Sequence, residues 1–212
     1  MRIRTLAAAL VACGALAASA AIAVPASAEP SQPTLFGAVA ASLADNNNAP
    51  TDRNWYDFDI LANGVLAAGL KDALDAPGAN LTVFIPNDRA FQALVADLFG
   101  WKFWFAGEAT VLGKIVELEK SAPGTLATVI TYHAVKGPID SKTALGVPKG
   151  TELTTLQGGK IKVFPLPLLG TAILVDQDTN DFDPTLVRSK LDIRASNGIA
   201  HGISLVLRPA NL

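Results

Sequence analysis

The sequence predicts an α+β domain, and two observations carry that prediction. Apolar residues recur at helical spacing between Leu35 and Thr131, whereas β-branched runs broken by glycine and proline fill the chain after Pro138. The two patterns are segregated rather than alternating, which argues against a layered sheet of βαβ units. A third observation says what holds such a domain together. Cys13 is the only cysteine among 212 residues, so no disulfide framework is available and stability rests on apolar burial.

In chain order, residues 1–28 read as a secretory signal. Arg2 and Arg4 supply the positive start, Leu6–Val24 the apolar stretch, and Ala26-Ser27-Ala28 a small-residue cleavage site before Glu29. Leu10-Val11-Ala12-Cys13 also resembles a lipobox, which would make Cys13 a lipidated first residue. The short apolar run ahead of it and the apolar sequence beyond it favour ordinary cleavage. An Ala-rich leader of this kind suggests bacterial export. Removing it takes two of the 17 basic residues and none of the 19 acidic ones, moving the net charge from −2 to −4. Such a chain lacks the basic face that nucleic acid requires, and no second apolar stretch reaches membrane-spanning length. The product is expected outside the cytoplasmic membrane, secreted or associated with the cell surface.

Residues 29–52 read as a linker carrying one short helix, with Leu35, Phe36, Val39 and Leu43 at helical spacing. A longer helix is expected over Asp57–Leu74, striped by Leu61, Val65, Leu66, Leu70 and Leu74 and capped by Asp57 or Asp59; Pro77-Gly78 ends it. Leu81–Ile85 is a strand stopped by Pro86, which has no N–H to donate. Asn87 or Asp88 then caps a helix bearing Phe91, Leu94, Val95 and Leu98 on one face. Glu108–Lys120 and Thr125–Thr131 are further helices, the second entering the segment Tyr132–Val135. Beyond Pro138 the expected strands are Glu152–Leu156 and Lys160–Phe164 around the hairpin signal Gly158-Gly159, then Ala172–Val175, Lys190–Ala195 and Ile199–Leu207.

Three of these segments, LTVFIPNDRAF at 81–91, TYHAVKG at 131–137 and SNGIAHGISLVLRP at 196–209, resemble in that order the fasciclin domain, an extracellular adhesion module. The resemblance covers roughly residues 53–209, so one domain is expected over 53–212. It implies a wedge of two packed β-sheets with helices along one edge. It also implies adhesion through the first segment and the Tyr-His region, which makes Asn87, Asp88, Tyr132 and His133 the candidate contact residues. For Asn87 and Asp88 helix capping is a sufficient account by itself. Pro86 and Gly198 read as backbone geometry.

The residues offer little chemistry. His133 and His201 are the only histidines, and no group of ligands at metal spacing accompanies either; structural hydrogen bonds are the expected role, although the resemblance places both in one core region. There is no Gly-x-Ser-x-Gly elbow, no P-loop and no thiol after cleavage, so no enzyme and no cofactor is expected. The run Asp176–Asp183 imitates the start of a calcium loop, but Asp181 stands where the sharp-turn Gly belongs and Val187 where the bidentate Glu belongs. A polar turn is expected there. The aromatic stretch Phe99–Phe105 is read as alternating, with Trp101, Phe103 and Phe105 on one face and Trp104 opposite. Core packing is the expected role, and an exposed platform built on Trp101 and Trp104 is the functional alternative.

Three function classes remain. The leading one is a non-enzymatic adhesion protein meeting a cell-surface or matrix protein or a polysaccharide. The second is a carrier of an apolar small molecule, with Leu166, Leu168 and Leu169 joining the tryptophans to line a cleft. The third is a hydrolase using His201 or His133 with a nearby Asp.

Overall fold

In the computed structural model, which describes residues 32–45 and 49–210, the strand β1 (Leu81–Pro86) is buried at every position. Apolar layers cover both of its faces. Leu81, Val83 and Ile85 join one core with the helices, while Phe84 joins a second core between two sheets. The continuous apolar run that marks this segment in the sequence is what a strand covered on two sides needs. The signal segment and Cys13 lie outside the described residues.

Around β1 the helices are α1 (Leu35–Asp45), α2 (Asp59–Ala67), α3 (Lys71–Asp75), α4 (Asp88–Phe99), α5 (Glu108–Ser121), α6 (Thr125–Tyr132) and α7 (Ser141–Gly146). The other strands are β2 (Ala134–Lys136), β3 (Thr151–Thr154), β4 (Lys160–Leu166), β5 (Thr171–Val175), β6 (Ile193–Ala195) and β7 (Gly198–Ile203). One sheet has the order β2-β1-β7-β6 and the other β3-β4-β5. Among the described residues only β1 and β7 run parallel, from Leu81 opposite Gly198 to Pro86 opposite Ile203. Single bridges, Val135 to Thr155 and Leu186 to Ile203, tie the sheets together. This is the α+β arrangement expected, two packed sheets with helices: α1, α4 and α6 pack on the first sheet, and α7 packs on β4 and β5 of the second.

At Gly198 the close approach of β1 explains the glycine. A Cβ there would sit 2.3 Å from the Leu81 carbonyl oxygen. The buried Asn197 beside it ties two other segments, α1 and the end of α3, to the start of β7. Its Oδ1 accepts from the Leu35 N–H at 2.8 Å, and its Nδ2 donates to the carbonyls of Leu74 at 2.7 Å and Ala76 at 3.1 Å. The helix expected in the linker is thereby tied to the domain, with Leu35, Phe36 and Val39 in the core.

Four local expectations are corrected. The helix expected over 57–74 is two helices, because Gly69 adopts a φ of 67° and turns the chain between α2 and α3. Neither Asp57 nor Asp59 caps α2; Phe58 occupies that position without a side-chain bond. Residues 101–105 form a 3-10 helix, not an alternating strand. Finally, α7 stands in a region read as strand and turn, started by Asp140, whose side chain accepts from the Thr143 N–H at 2.8 Å.

Candidate functional site

The start of α4 contains two of the expected contact residues. Asn87 is the N-cap: its Oδ1 accepts from the Ala90 N–H at 3.0 Å. Asp88, the first helical residue, is fully buried and turns to a different helix, where its Oδ1 accepts from the Ile60 N–H at 3.0 Å. The missing cap of α2 is therefore supplied by a residue 28 positions later. Asp88 thus meets the protein's own backbone at the start of α2.

Tyr132 and His133 are also interior. Tyr132 lies in the second core with its hydroxyl donating to the Lys160 carbonyl at 2.7 Å; burial pushes the phenol well above its ordinary range. His133 Nδ1 lies 2.8 Å from the Val129 carbonyl, and its Nε2 accepts from the Leu207 N–H at 3.0 Å. That pair of partners fixes the neutral Nδ1–H tautomer, and burial depresses the imidazole to about 4. The side chains of Asp88, Tyr132 and His133 are buried and close the fold. Tyr132 and His133 couple α6 to β4 and to the chain after β7.

His201 holds the opposite tautomer. Its Nδ1 accepts from the Asp192 N–H at 3.2 Å and its Nε2 donates to the Ile139 carbonyl at 2.8 Å. The Asp192 carboxylate receives the Ser141 N–H at 2.8 Å and the Ser141 hydroxyl at 2.5 Å. Serine, histidine and aspartate are thus neighbours, but their wiring is not that of a hydrolase. The hydroxyl is bound to the acid rather than to the imidazole, and both ring nitrogens are taken by the main chain, so no base faces a nucleophile.

The acidic run after β5 is organised by a cation of the protein's own. Arg208 is buried at the end of the closing segment. Its Nη1 lies 2.8 Å from Asp97 Oδ2 and 3.2 Å from Asp178 Oδ2, and its Nε lies 3.1 Å from Asp181 Oδ2. Its main-chain N–H donates to Asp176 Oδ2 at 2.7 Å. Arg208 thus pairs with Asp178 and Asp181 through its guanidinium and with Asp176 through its main chain, so the polar turn expected there is a pinned one. Burial raises Asp176 to about 7 despite the backbone N–H groups it accepts.

Beside this loop lies an open groove of about 460 Å³. Leu94 and Val206 are in its lining, Trp101, Trp104 and Phe182 contribute aromatic surface, and Asp97 and Arg208 contribute charge. Trp101 and Phe182 are 74% and 86% exposed. Core packing of the aromatic stretch is therefore corrected for Trp101, Trp104 and Phe105, while Phe99 and Phe103 pack on the first core. Gly100, at a φ of 108°, turns the chain out of α4 into the 3-10 helix, whose tight winding carries Trp101 and Trp104 three residues apart onto one side. Trp101 meets Phe105 edge-on with ring centroids 5.9 Å apart, and the Arg89 guanidinium lies 4.8 Å over the Trp104 ring. Leu168 and Leu169 line no part of the groove; they sit exposed in a turn between β4 and β5. Phe182, which the sequence reading missed, has one local signal: it is a lone aromatic within a run of Asp, Asn and Thr.

Comparison with known proteins gives three findings. A profile of the fasciclin domain matches residues 56–209. The transforming growth factor-beta-induced protein ig-h3 of Sus scrofa is 31% identical over 153 residues, which are 72% of this chain and 18% of that protein. The chain thus spans less than a fifth of the relative it matches. Among solved structures, a FAS1 domain pair from the insect cell adhesion molecule fasciclin I superposes with a TM-score of 0.56 at 16% identity, over 84% of this chain and 51% of that one. That likeness concerns the fold.

Proposed function

The chain belongs to the fasciclin domain family, and on that premise we propose that it is a secreted, non-enzymatic adhesion protein whose partner is a cell-surface or matrix protein or a polysaccharide. The observation that carries this reading is the exposed aromatic groove beside α4, where Trp101, Trp104 and Phe182 stand in solvent next to the Arg208–Asp97 pair. Large aromatic side chains pack inside unless something else uses them, and aromatic groups flanked by charge are the usual anchors of an interface. Asn87, at the opposite end of α4 from the tryptophans, is the one half-buried member of the expected motif contacts. The signal-like residues 1–28 support export, and among the described residues no helix is long and apolar enough to cross a membrane.

Binding to insoluble polysaccharide and to immobilised matrix protein tests this directly. Trp101→Ala and Phe182→Ala should each weaken binding at least tenfold, as truncation of an interface anchor does, with unfolding midpoints unchanged. Loss of binding from neither variant would reject the groove as the contact surface. A carrier role has one observation in its favour: a cavity of about 460 Å³ with apolar lining falls in the range used for small ligands. An organic-extractable ligand in purified protein, lost in Trp101→Ala, would select that reading over adhesion.

A further inference from the structure

The turn between β4 and β5 carries two adjacent leucines that the interior does not use. Leu168 is fully exposed and Leu169 is 60% exposed, whereas the other exposed leucines, Leu66 and Leu156, stand singly. Neighbouring aliphatic side chains held in water mark a surface that something else covers. The turn itself is preset. Pro167–Leu169 form a 3-10 turn closed by the Gly170 N–H, which donates to the Pro167 carbonyl at 3.1 Å. Behind it, Ile161, Val163 and Pro165 of β4 are buried, and the alternate residues Lys162, Phe164 and Leu166 take the opposite face.

The charge around this tip has one sign. The chain has a net charge of −2, yet the segments 141–151, 160–175 and 184–191 contain, apart from Glu152 just beyond the first, no aspartate or glutamate. They carry Lys142, Lys149, Lys160, Lys162, Arg188 and Lys190. Lys160 pairs with Glu152 at 2.5 Å, and Lys190 Nζ turns away to lie 5.5 Å over the Phe58 ring. Among the described residues, the other four pair with no carboxylate, and all four are exposed.

Two of the four are brought to the tip by backbone pairing. The Leu174 N–H donates to the Pro184 carbonyl at 2.8 Å and the Leu186 N–H to the Ala172 carbonyl at 3.0 Å. That register sets Arg188 level with Gly170, and Arg188 Nε lies 3.4 Å from where a side chain on Gly170 would begin. On the other flank, the Gly150 N–H donates to the Val163 carbonyl at 2.8 Å, which places Lys149 beside β4.

We propose that the β4–β5 tip is a peripheral anchor for an anionic phospholipid bilayer. Leu168 and Leu169 enter the headgroup region, and Arg188, Lys149 and Lys162 meet the lipid phosphates. An apolar knob ringed by unpaired cations from separate segments complements a diffusely negative surface with an apolar interior. None of these residues lines the aromatic groove, and the site is independent of the adhesion reading.

The test is sedimentation of the exported protein with sucrose-loaded vesicles. One set is equimolar in phosphatidylglycerol and phosphatidylcholine, and the other is phosphatidylcholine alone. Binding to the anionic set should be at least tenfold tighter and should weaken as salt is raised. The double variants Leu168→Ser with Leu169→Ser, and Lys149→Glu with Arg188→Glu, should each weaken it at least tenfold. Their Tm should not change, because all four side chains stand in solvent. No binding to anionic vesicles would overturn the proposal, and so would equal binding to both sets. Binding lost in Trp101→Ala but kept in the leucine variant would also overturn it, by placing the membrane contact at the groove.

Discussion

Buried among α6 and the closing segment, His133 gives its one proton to the Val129 carbonyl and offers its bare nitrogen to the Leu207 N–H. Protonating it would set a second donor against a donor in a buried site. The folded state holds this imidazole at about 4, while an unfolded chain returns it to its ordinary value of about 6.5. Between those values the unfolded chain binds the extra proton. Its contribution to stability is therefore complete above pH ~6.5 and is lost as pH falls toward 4, by roughly 3 kcal/mol in all. Asp176, raised to about 7, works in the opposite direction throughout that window, so the wild-type curve alone does not isolate the histidine. Denaturant unfolding of wild type and His133→Gln should give a stability difference that shrinks as pH drops from 6.5 to 4. A difference independent of pH would mean the ring is not held neutral. The sequence showed a histidine beside a tyrosine in an apolar segment and supported a structural role, but not its partners: Leu207 lies 74 positions away.

At the scale of elements, the legible features were those with local causes. The cap at Asn87 and the stripe Phe91, Leu94 and Val95 lie within one helix, and α4 forms as they predict. The Gly158-Gly159 hairpin is equally local, and β3 pairs with β4 across it. The start of α2 was misread because its capping carboxylate comes from Asp88 on another helix. The aromatic stretch was misread because alternating large residues imitate a strand, whereas Gly100 and the exposed rings make it a 3-10 helix. Asn197 illustrates the same limit. A Ser-Asn-Gly turn is visible in the sequence, but its amide joins α1, α3 and the start of β7 through buried hydrogen bonds. Asn197→Ala leaves those main-chain groups without partners and should cost about 3 kcal/mol in denaturant unfolding. A change under about 0.5 kcal/mol, within the scatter of surface substitutions, would show that the junction is not holding these elements together.

For the molecule as a whole, the working unit is longer than the family match. The profile begins at residue 56, yet Leu35, Phe36 and Val39 of α1 are buried in the helical core. A chain beginning at Thr51 should lose roughly 5 kcal/mol, from three apolar side chains at about 1.5–3 kcal/mol each, and expose the surface around Asn197. Equal unfolding midpoints for the long and short chains would contradict this.

By itself the sequence determined the segregated helices and strands, the apolar central strand, the disulfide-free interior and the three segments that carry the family resemblance. Each of these is set by periodicity, composition or neighbours a few residues apart. Only the tertiary structure decided which side chains face outward. It turned Asp88, Tyr132 and His133 inward and Trp101 outward, placed Phe182 beside the tryptophans, and made Arg208 the counter-ion of the acidic turn. Burial and charge pairing depend on residues brought together from distant parts of the chain, and no local pattern encodes that meeting.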